Sequence, residues 1–197
     1  MLGDKILFKD YHYKQASDVI DKVEENKNKK KIVCLIGGGA GTGKTETSIL
    51  VQKTLYRYNF PSLLISLDDY YNTHWKERDT IRKEKGIDSV GVSEIWWNVL
   101  EKTIKNYRWS NTLELLRVNK YSGLMETITT PSSVKLLIIE GLYAGYLKDK
   151  ADIFYNIEGS PKDTYEFRRE RGKEDPDDIW RKQIIQKEYE EVERLKH

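Results

Sequence analysis

Residues 38 to 45 read GGAGTGKT and have the composition of a phosphate-binding loop. They match the pattern Gly-x-x-x-x-Gly-Lys-Ser/Thr, in which glycines let consecutive backbone N–H groups turn toward phosphate oxygens. Lys44 adds a positive charge for the β- and γ-phosphates, and the Thr45 hydroxyl is a ligand for Mg²⁺. A glycine-rich turn without a ligand is the alternative. The residues predicted to bind a nucleoside triphosphate are Gly38, Gly39, Ala40, Gly41, Thr42, Gly43, Lys44 and Thr45.

Carboxylates at the ends of two predicted strands could serve as a base and as a Mg²⁺ ligand. Asp68 and Asp69 directly follow one apolar run, and Glu140 ends another. Ligands of a parallel sheet bind beyond the carboxyl ends of its strands, so these side chains would meet a substrate there. One of the aspartates can accept the proton of an acceptor hydroxyl, and Glu140 can hold Mg²⁺. Capping of a helix or a turn is the alternative for the aspartates.

A basic segment at 167–175, FRRERGKED, can supply guanidinium groups for a transferring phosphoryl group. The planar fork of arginine binds phosphate oxygens as they gain charge in the transition state, and Gly172 provides a flexible joint. The alternative is a solvated helix face in which glutamates pair with these bases. Together with the phosphate loop, the segment predicts a lid, and its candidate side chains are Arg168, Arg169 and Arg171.

These groups come together only if buried strands joined by helices position them. Four short apolar runs rich in β-branched residues are typical of strands buried on both faces, and they span 32–36, 63–67, 134–140 and 152–158. Helical patterns cover 13–25, 46–58, 93–106 with Ser93 as cap, and the chain from Pro161 onward, with a lid region at 161–185. The alternation predicts an α/β fold: a mostly parallel sheet, helices on both faces, and a small antiparallel flap at 112–130.

Composition restricts the function classes. The 197 residues carry a net charge of +2 without clustered excess base, which argues against a nucleic-acid partner. No run approaches the ~18 apolar residues of a membrane span. The single cysteine, Cys34, cannot form an internal disulfide, which favours a reducing, cytoplasmic setting.

No linker divides the chain, so residues 1–197 are predicted to form one domain that begins with a helix and a basic turn at 1–30. The run KNKKK in that turn is either a binding tract or a solvated helix end. His12 and His197 match no motif.

Among proteins with a phosphate loop, a small-molecule kinase accounts best for these motifs. A GTPase needs an Asn-Lys-x-Asp motif, and the nearest string, at 119–122, lacks the aspartate. An oligomeric motor ATPase needs a further helical lid and sensor residues, for which the chain has little room. A kinase needs a base, a carboxylate beside Mg²⁺ and mobile arginines, and the sequence offers all three.

In this order and spacing, the strings GGGAGTGKT, SLDDYY, IIEGLYAG and RRERG resemble the uridine kinase and phosphoribulokinase family of P-loop kinases, from about Ile32 to Ile185. The resemblance implies the P-loop NTPase fold, ATP as phosphoryl donor with GTP as the alternative, Mg²⁺ as cofactor, and a hydroxyl of a small metabolite as acceptor. By motif position it makes Asp68 the catalytic base, acting with Lys44 and the lid arginines. It implies that Thr45, Glu140 and Asp68 hold Mg²⁺ and that the substrate is contacted by Asp69, Tyr71, Asp88 and Gln183.

The acceptor stays open at this point. The interval 113–130 lacks the Tyr-Asp-Phe/Tyr string and the histidine with which uridine kinases enclose base and ribose. A nucleoside, a sugar phosphate and a vitamin precursor are therefore all candidate acceptors. The alternative from another class is a nucleotide-gated binding protein without phosphoryl transfer, and either protein can form a homo-oligomer.

Overall fold

The computed structural model describes residues 5–119, 122–172, 175 and 177–197, so parts of the predicted flap (120–121) and lid (173–174 and 176) lie outside the described residues. Within them the helices are α1 Asp10–Glu25, α2 Lys44–Arg57, α3 Arg78–Lys85, α4 Trp97–Trp109, α5 Tyr165–Arg171 and α6 Ile179–Lys196. The strands are β1 Ile32–Gly38, β2 Ser62–Ser66, β3 Thr112–Val118, β4 Met125–Pro131, β5 Leu136–Glu140 and β6 Ile153–Ile157. None of these helices is long and apolar enough to cross a membrane.

Four parallel strands form the central sheet in the order β2–β5–β1–β6, with helices on both faces, which confirms the predicted α/β class. The register aligns the last residues of β5 and β2, Glu140 and Ser66, with Ile36 of β1. The phosphate loop begins two residues after Ile36, and Asp68 comes two residues after Ser66. Parallel pairing therefore brings the loop, Asp68 and Glu140 to one end of the sheet.

Both faces of β1 are buried, and its side chains alternate between two hydrophobic clusters. Cys34 packs with Val19 of α1 and Val51 of α2 on one face. Leu35 belongs to the cluster on the other face, which includes Leu100 of α4. Because both faces are covered, the strand reads as a continuous apolar run rather than an alternating one.

The strands β3 and β4 form the antiparallel flap predicted at 112–130. Two hydrogen bonds attach β3 to the loop that follows β2. The Leu116 N–H donates to the Tyr70 hydroxyl (3.3 Å), and the Val118 N–H donates to Asp69 Oδ1 (3.3 Å). The flap is thus fixed to the segment that carries the aspartate pair.

A buried ion cluster joins α3 to the C-terminal helix α6. Arg82 of α3 donates to both carboxylate oxygens of Glu94, at 2.7 and 2.8 Å, and contacts Glu188 of α6 at 3.5 Å. The Glu94 carboxylate also accepts from the Gly91 N–H (3.1 Å). All three ionised side chains are buried, so each charge depends on its partners for compensation.

The helix predicted at 93–106 begins later than expected, and Ser93 is not its cap. The helix α4 starts at Trp97, because the Trp96 N–H donates to the Tyr70 carbonyl (2.9 Å) and keeps the backbone before the helix paired with the loop after β2. Ser93 lies instead in a short 3₁₀ turn ahead of this point.

Replacing Arg82 with methionine should lower the free energy of unfolding by about 3–5 kcal/mol, because Glu94 and Glu188 would stay buried without their cation. Lys27→Met is the matched control. Lys27 pairs with Glu24 at the surface, and its loss should cost less than about 1 kcal/mol. Urea unfolding followed by circular dichroism measures both variants. Equal losses would contradict a stabilising role for the buried cluster.

Candidate active site

The phosphate loop connects β1 to α2 at the carboxyl end of the parallel strands. Gly43, the residue before α2, has φ 87°, a left-handed conformation that favours glycine. The first N–H groups of a helix lack intrahelical partners, so the start of α2 is suited to bind an anion. Lys44 Nζ donates to the Gly39 carbonyl (2.7 Å). Burial lowers the pKa of Lys44, and the carboxylates of Glu140 and Asp68 oppose this effect.

Thr45 and Glu140 meet across the end of the sheet, where Thr45 Oγ1 donates to Glu140 Oε2 (3.3 Å). Burial raises the pKa of Glu140 to about 6, and the negative charge of Asp68 contributes to the rise. Two carboxylates and a hydroxyl are hard oxygen donors, which suit Mg²⁺, an ion that completes its shell with water and phosphate oxygens. The predicted set of Thr45, Glu140 and Asp68 therefore fits a Mg²⁺ ion.

The two adjacent aspartates have different surroundings. Ser66 Oγ accepts from the Asp68 N–H (3.4 Å) and begins the 3₁₀ turn that carries both residues. The charge of Asp68 acts on Lys44 and Glu140. Asp69 accepts a hydrogen bond from the Val118 N–H of the flap instead. Burial raises the pKa of its carboxyl group. Asp68 thus belongs to the phosphate end of the site, whereas Asp69 holds the flap.

Tyr71 is buried beside Asp68 and lies against a cation. The guanidinium carbon of Arg78 is 3.4 Å from the centroid of the tyrosine ring. Burial raises the pKa of Tyr71, and the negative charges of Glu188 and Asp68 raise it further. The side of the site assigned to the acceptor therefore has an aromatic wall and a positive charge next to Asp68.

Two other residues assigned to the substrate by motif position do not lie in this buried group. The Asp88 side chain is 98% exposed, and its carboxylate is 4.0 Å from Lys187 Nζ of α6. Gln183 is exposed on α6, whose inward face is formed by other residues, among them Glu188 and Tyr189. Of the residues assigned to the substrate by motif position, Tyr71 is the one that is buried.

The lid arginines occupy three environments on α5. Arg168 is buried, and its Nη2 donates to the Pro161 carbonyl (3.0 Å). Arg169 is exposed. Arg171 is half-buried, and its charge acts on Lys44. Among the predicted lid arginines, Arg171 is therefore one whose charge reaches Lys44 of the phosphate loop.

Tyr189 of α6 contacts the phosphate loop, which sequence reasoning missed. Its hydroxyl donates to the Ala40 carbonyl (2.9 Å) and is 3.0 Å from Thr164 Oγ1. A Cβ atom at Gly39 would lie 2.1 Å from the tyrosine ring, so this close approach requires glycine. The spacing of Tyr189 with other buried residues of α6 indicates an inward face but not this neighbour.

His12 of α1 also contacts the loop, although it matches no motif. The helix α1 begins at Asp10, earlier than the predicted residue 13, and His12 is fully buried. A Cβ atom at Gly43 would lie 2.1 Å from His12 Nε2. Burial lowers the pKa of His12 to about 4, and the charges of Lys9 and Arg171 contribute. The available signal was its helical spacing with Ala16, Val19 and Val23, which continues the apolar face of α1.

Comparison with known proteins relates this geometry to a family. The model of the Phosphoribulokinase / Uridine kinase family matches residues 33–156, which include the phosphate loop, the aspartate pair and Glu140 but neither His12 nor Tyr189. No curated protein sequence matches the chain.

Solved structures of kinases share the fold. A protein described as a fructose transport system kinase, from Silicibacter sp. TM1040, has a TM-score of 0.69 and 11% identity, over 93% of this chain and 94% of that one. A protein described as a uridine kinase, from Bacillus stearothermophilus, has a TM-score of 0.55 and 16% identity, over 77% and 84%. Phosphoribulokinase from Rhodobacter spheroides has a TM-score of 0.61 and 12% identity, over 83% and 64%. These likenesses confirm the P-loop kinase fold.

His12 should make the stability of the protein depend on pH between about 6.5 and 4. The folded state keeps the imidazole neutral because its pKa is lowered to about 4, whereas the unfolded chain binds a proton near about 6.5. This contribution is therefore present above pH 6.5 and is lost as the pH falls through the window.

Urea unfolding at pH 7.5 and pH 5 tests this dependence. Between the two pH values, the wild type should lose about 2 kcal/mol more unfolding free energy than His12→Gln, which has no titrating group at this position. Parallel pH profiles for the two proteins would contradict the buried, neutral state of His12.

Proposed function

The chain belongs to the phosphoribulokinase/uridine kinase family, whose members are P-loop kinases with hydroxyl acceptors, and we propose that it is an ATP-dependent kinase of a small metabolite. The observation that carries the proposal is the meeting of Asp68, Glu140 and Lys44 at one end of the parallel sheet. Phosphoryl transfer requires a base, oxygen ligands for Mg²⁺ and a phosphate-binding loop.

The donor triphosphate binds to the backbone N–H groups of the loop. Lys44 exchanges its contact with the Gly39 carbonyl for the β- and γ-phosphates. ATP is the proposed donor, because kinases of this family use ATP and Mg²⁺, and GTP is the alternative. Thr45, Glu140 and Asp68 are the proposed Mg²⁺ ligands. When bound, the ion neutralises charge on the donor phosphates.

Asp68 is the proposed base. It accepts the proton of the acceptor hydroxyl while the hydroxyl oxygen attacks the γ-phosphorus of the donor; the bond from the γ-phosphorus to the β–γ bridging oxygen breaks, and ADP leaves with the electron pair. Tyr71 provides a wall for the acceptor. Arg171 stabilises the charge that develops on the transferring group, and Arg168 and Arg169 are the other predicted lid residues. Closure of the lid excludes water, which would otherwise hydrolyse the donor.

Arg78 favours an acceptor with a negative charge. Its guanidinium lies on the Tyr71 ring, and its Nε is buried without a hydrogen-bond partner among the described residues. Arginine binds phosphate and carboxylate groups through such N–H donors. A sugar phosphate or a carboxylated vitamin precursor therefore suits this side of the site better than an uncharged nucleoside.

We propose that the partner is a small-molecule acceptor and that neither nucleic acid nor a membrane takes part, and a homo-oligomer stays a prediction. Cys34 is a free cysteine buried in β1, which suits the reducing cytoplasm, and we assign the reaction to that compartment.

Asp68→Asn should abolish most phosphoryl transfer and leave nucleotide binding intact. Loss of the general base should lower kcat by about 10²–10⁴-fold, because an amide cannot accept the proton. Asp69→Asn is the adjacent control, since the asparagine carbonyl can still accept from the Val118 N–H, and it should retain most of kcat. Steady-state kinetics and calorimetric ADP binding measure both effects. A folded Asp68→Asn protein with wild-type kcat would overturn the assignment.

An acceptor panel tests the reaction itself. Mg²⁺-ATP is incubated with nucleosides, sugar phosphates and vitamin precursors, with cell extract as a further acceptor source. ADP release should depend on an anionic acceptor, and mass spectrometry should detect its phosphorylated product. Arg78→Met should raise KM for that acceptor about tenfold or more through the loss of a charge-assisted hydrogen bond. ATP binding without acceptor-dependent ADP release from any source would favour a nucleotide-gated switch.

A further inference from the structure

The His12 side chain presents a hydrogen-bond donor that the protein itself does not use. Nδ1 accepts a hydrogen bond from the Lys9 N–H (3.0 Å), so the proton of the neutral ring is on Nε2. Nε2 is buried and has no hydrogen-bond partner among the described residues. Buried donors are paired in nearly all native structures, so an unpaired one requires an explanation.

This donor is directed at the start of α2. Nε2 lies directly in front of Gly43, the residue before the helix, in the space that a side chain at that position would fill. The helix has 14 residues, and the loop before it contains the phosphate-binding pattern. The first N–H groups of α2 favour an anion, and the unpaired Nε2–H lies beside the residue that precedes them.

Two cations act on the imidazole. Lys9 and Arg171 both act on His12 and disfavour a second positive charge on the ring. Among the nearby acids, Glu170 is paired with Lys9 (2.9 Å), and Glu46 lies in the first turn of α2. A phosphate group in front of Gly43 would compensate the cations and pair the unused donor.

On the basis of the kinase function proposed above, we propose that His12 is a ligand of the donor phosphates, with its Nε2–H donating to a phosphate oxygen held by the loop. The residue lies outside the matched range 33–156, so the family pattern does not include this contact. His12 also packs against Phe167 of α5 (5.3 Å between ring centroids). The same side chain would therefore touch both the bound phosphates and the helix that carries the lid arginines.

The opposite reading is that His12 only fills the space in front of Gly43 and must leave before the nucleotide enters. The two readings predict opposite changes in affinity when the side chain loses its donor. A phosphate ligand gives weaker binding on removal, and a plug gives tighter binding.

A pair of variants of similar side-chain length separates these readings. His12→Gln keeps an N–H donor near the position of Nε2, and His12→Met fills comparable space without a donor. Glutamine and methionine have nearly equal helix propensities, so α1 is affected equally. Isothermal titration calorimetry with pyrophosphate and with ADP measures affinity in the wild type and in each variant.

His12→Met should weaken binding of both probes about tenfold or more, and His12→Gln should stay within about threefold of the wild type. Pyrophosphate carries no base or ribose, so a loss with this probe assigns the contact to phosphate. Val19→Ala, on the same buried face of α1, is the control for packing and should lower stability without changing either affinity.

Unchanged or tighter binding in a folded His12→Met protein would overturn the inference and leave the kinase proposal standing. Equal losses in the Gln and Met variants would also overturn it, since the donor would then not matter. If the wild type bound neither pyrophosphate nor ADP, the proposed function and the inference would both be overturned.

Discussion

The parallel pairing of β5 with β1 and β2 is the constraint on which the site depends. Glu140 is paired with Ile36 on one side and Ser66 on the other, so the carboxyl ends of three strands distant in sequence lie within two residues of one another. Burial on both faces fixes this register, because a shift by one residue would turn core side chains toward the wrong hydrophobic cluster. The phosphate loop and the turn that carries Asp68 directly follow their strands, so the backbone conformation of a few residues is enough to bring them together.

Sequence reasoning succeeded where local rules determine position. The apolar runs predicted the strands, and the glycine-lysine-threonine pattern predicted the loop between strand and helix. Asp68 and Glu140 could be placed together because the carboxyl ends of parallel strands lie at the same end of a sheet. None of these steps required knowledge of how distant helices pack.

Sequence reasoning failed where packing between distant elements decides the contact. The burial of Arg82, the approach of Tyr189 to the loop and the turning of Asp69 toward the flap depend on how α3, α6 and β3 dock. Periodicity identifies which face of a helix is inward but not what that face meets. The burial of His12 was not predicted, although its spacing continues the apolar face of α1, and only the three-dimensional structure identified Gly43 as its neighbour.

Two aromatic rings, from opposite ends of the chain, press on two glycines of the phosphate loop. Tyr189 lies against Gly39 and His12 against Gly43. A fragment limited to 33–156 would therefore retain the phosphate loop, the aspartate pair and Glu140 but lose both rings that pack on the loop. The range that the family model matches is therefore narrower than the set of residues that pack on the phosphate loop. In related chains, positions 39 and 189 should accordingly vary as a pair, since a larger residue at position 39 needs a smaller one at 189, whereas the positive φ of Gly43 favours glycine whatever lies opposite.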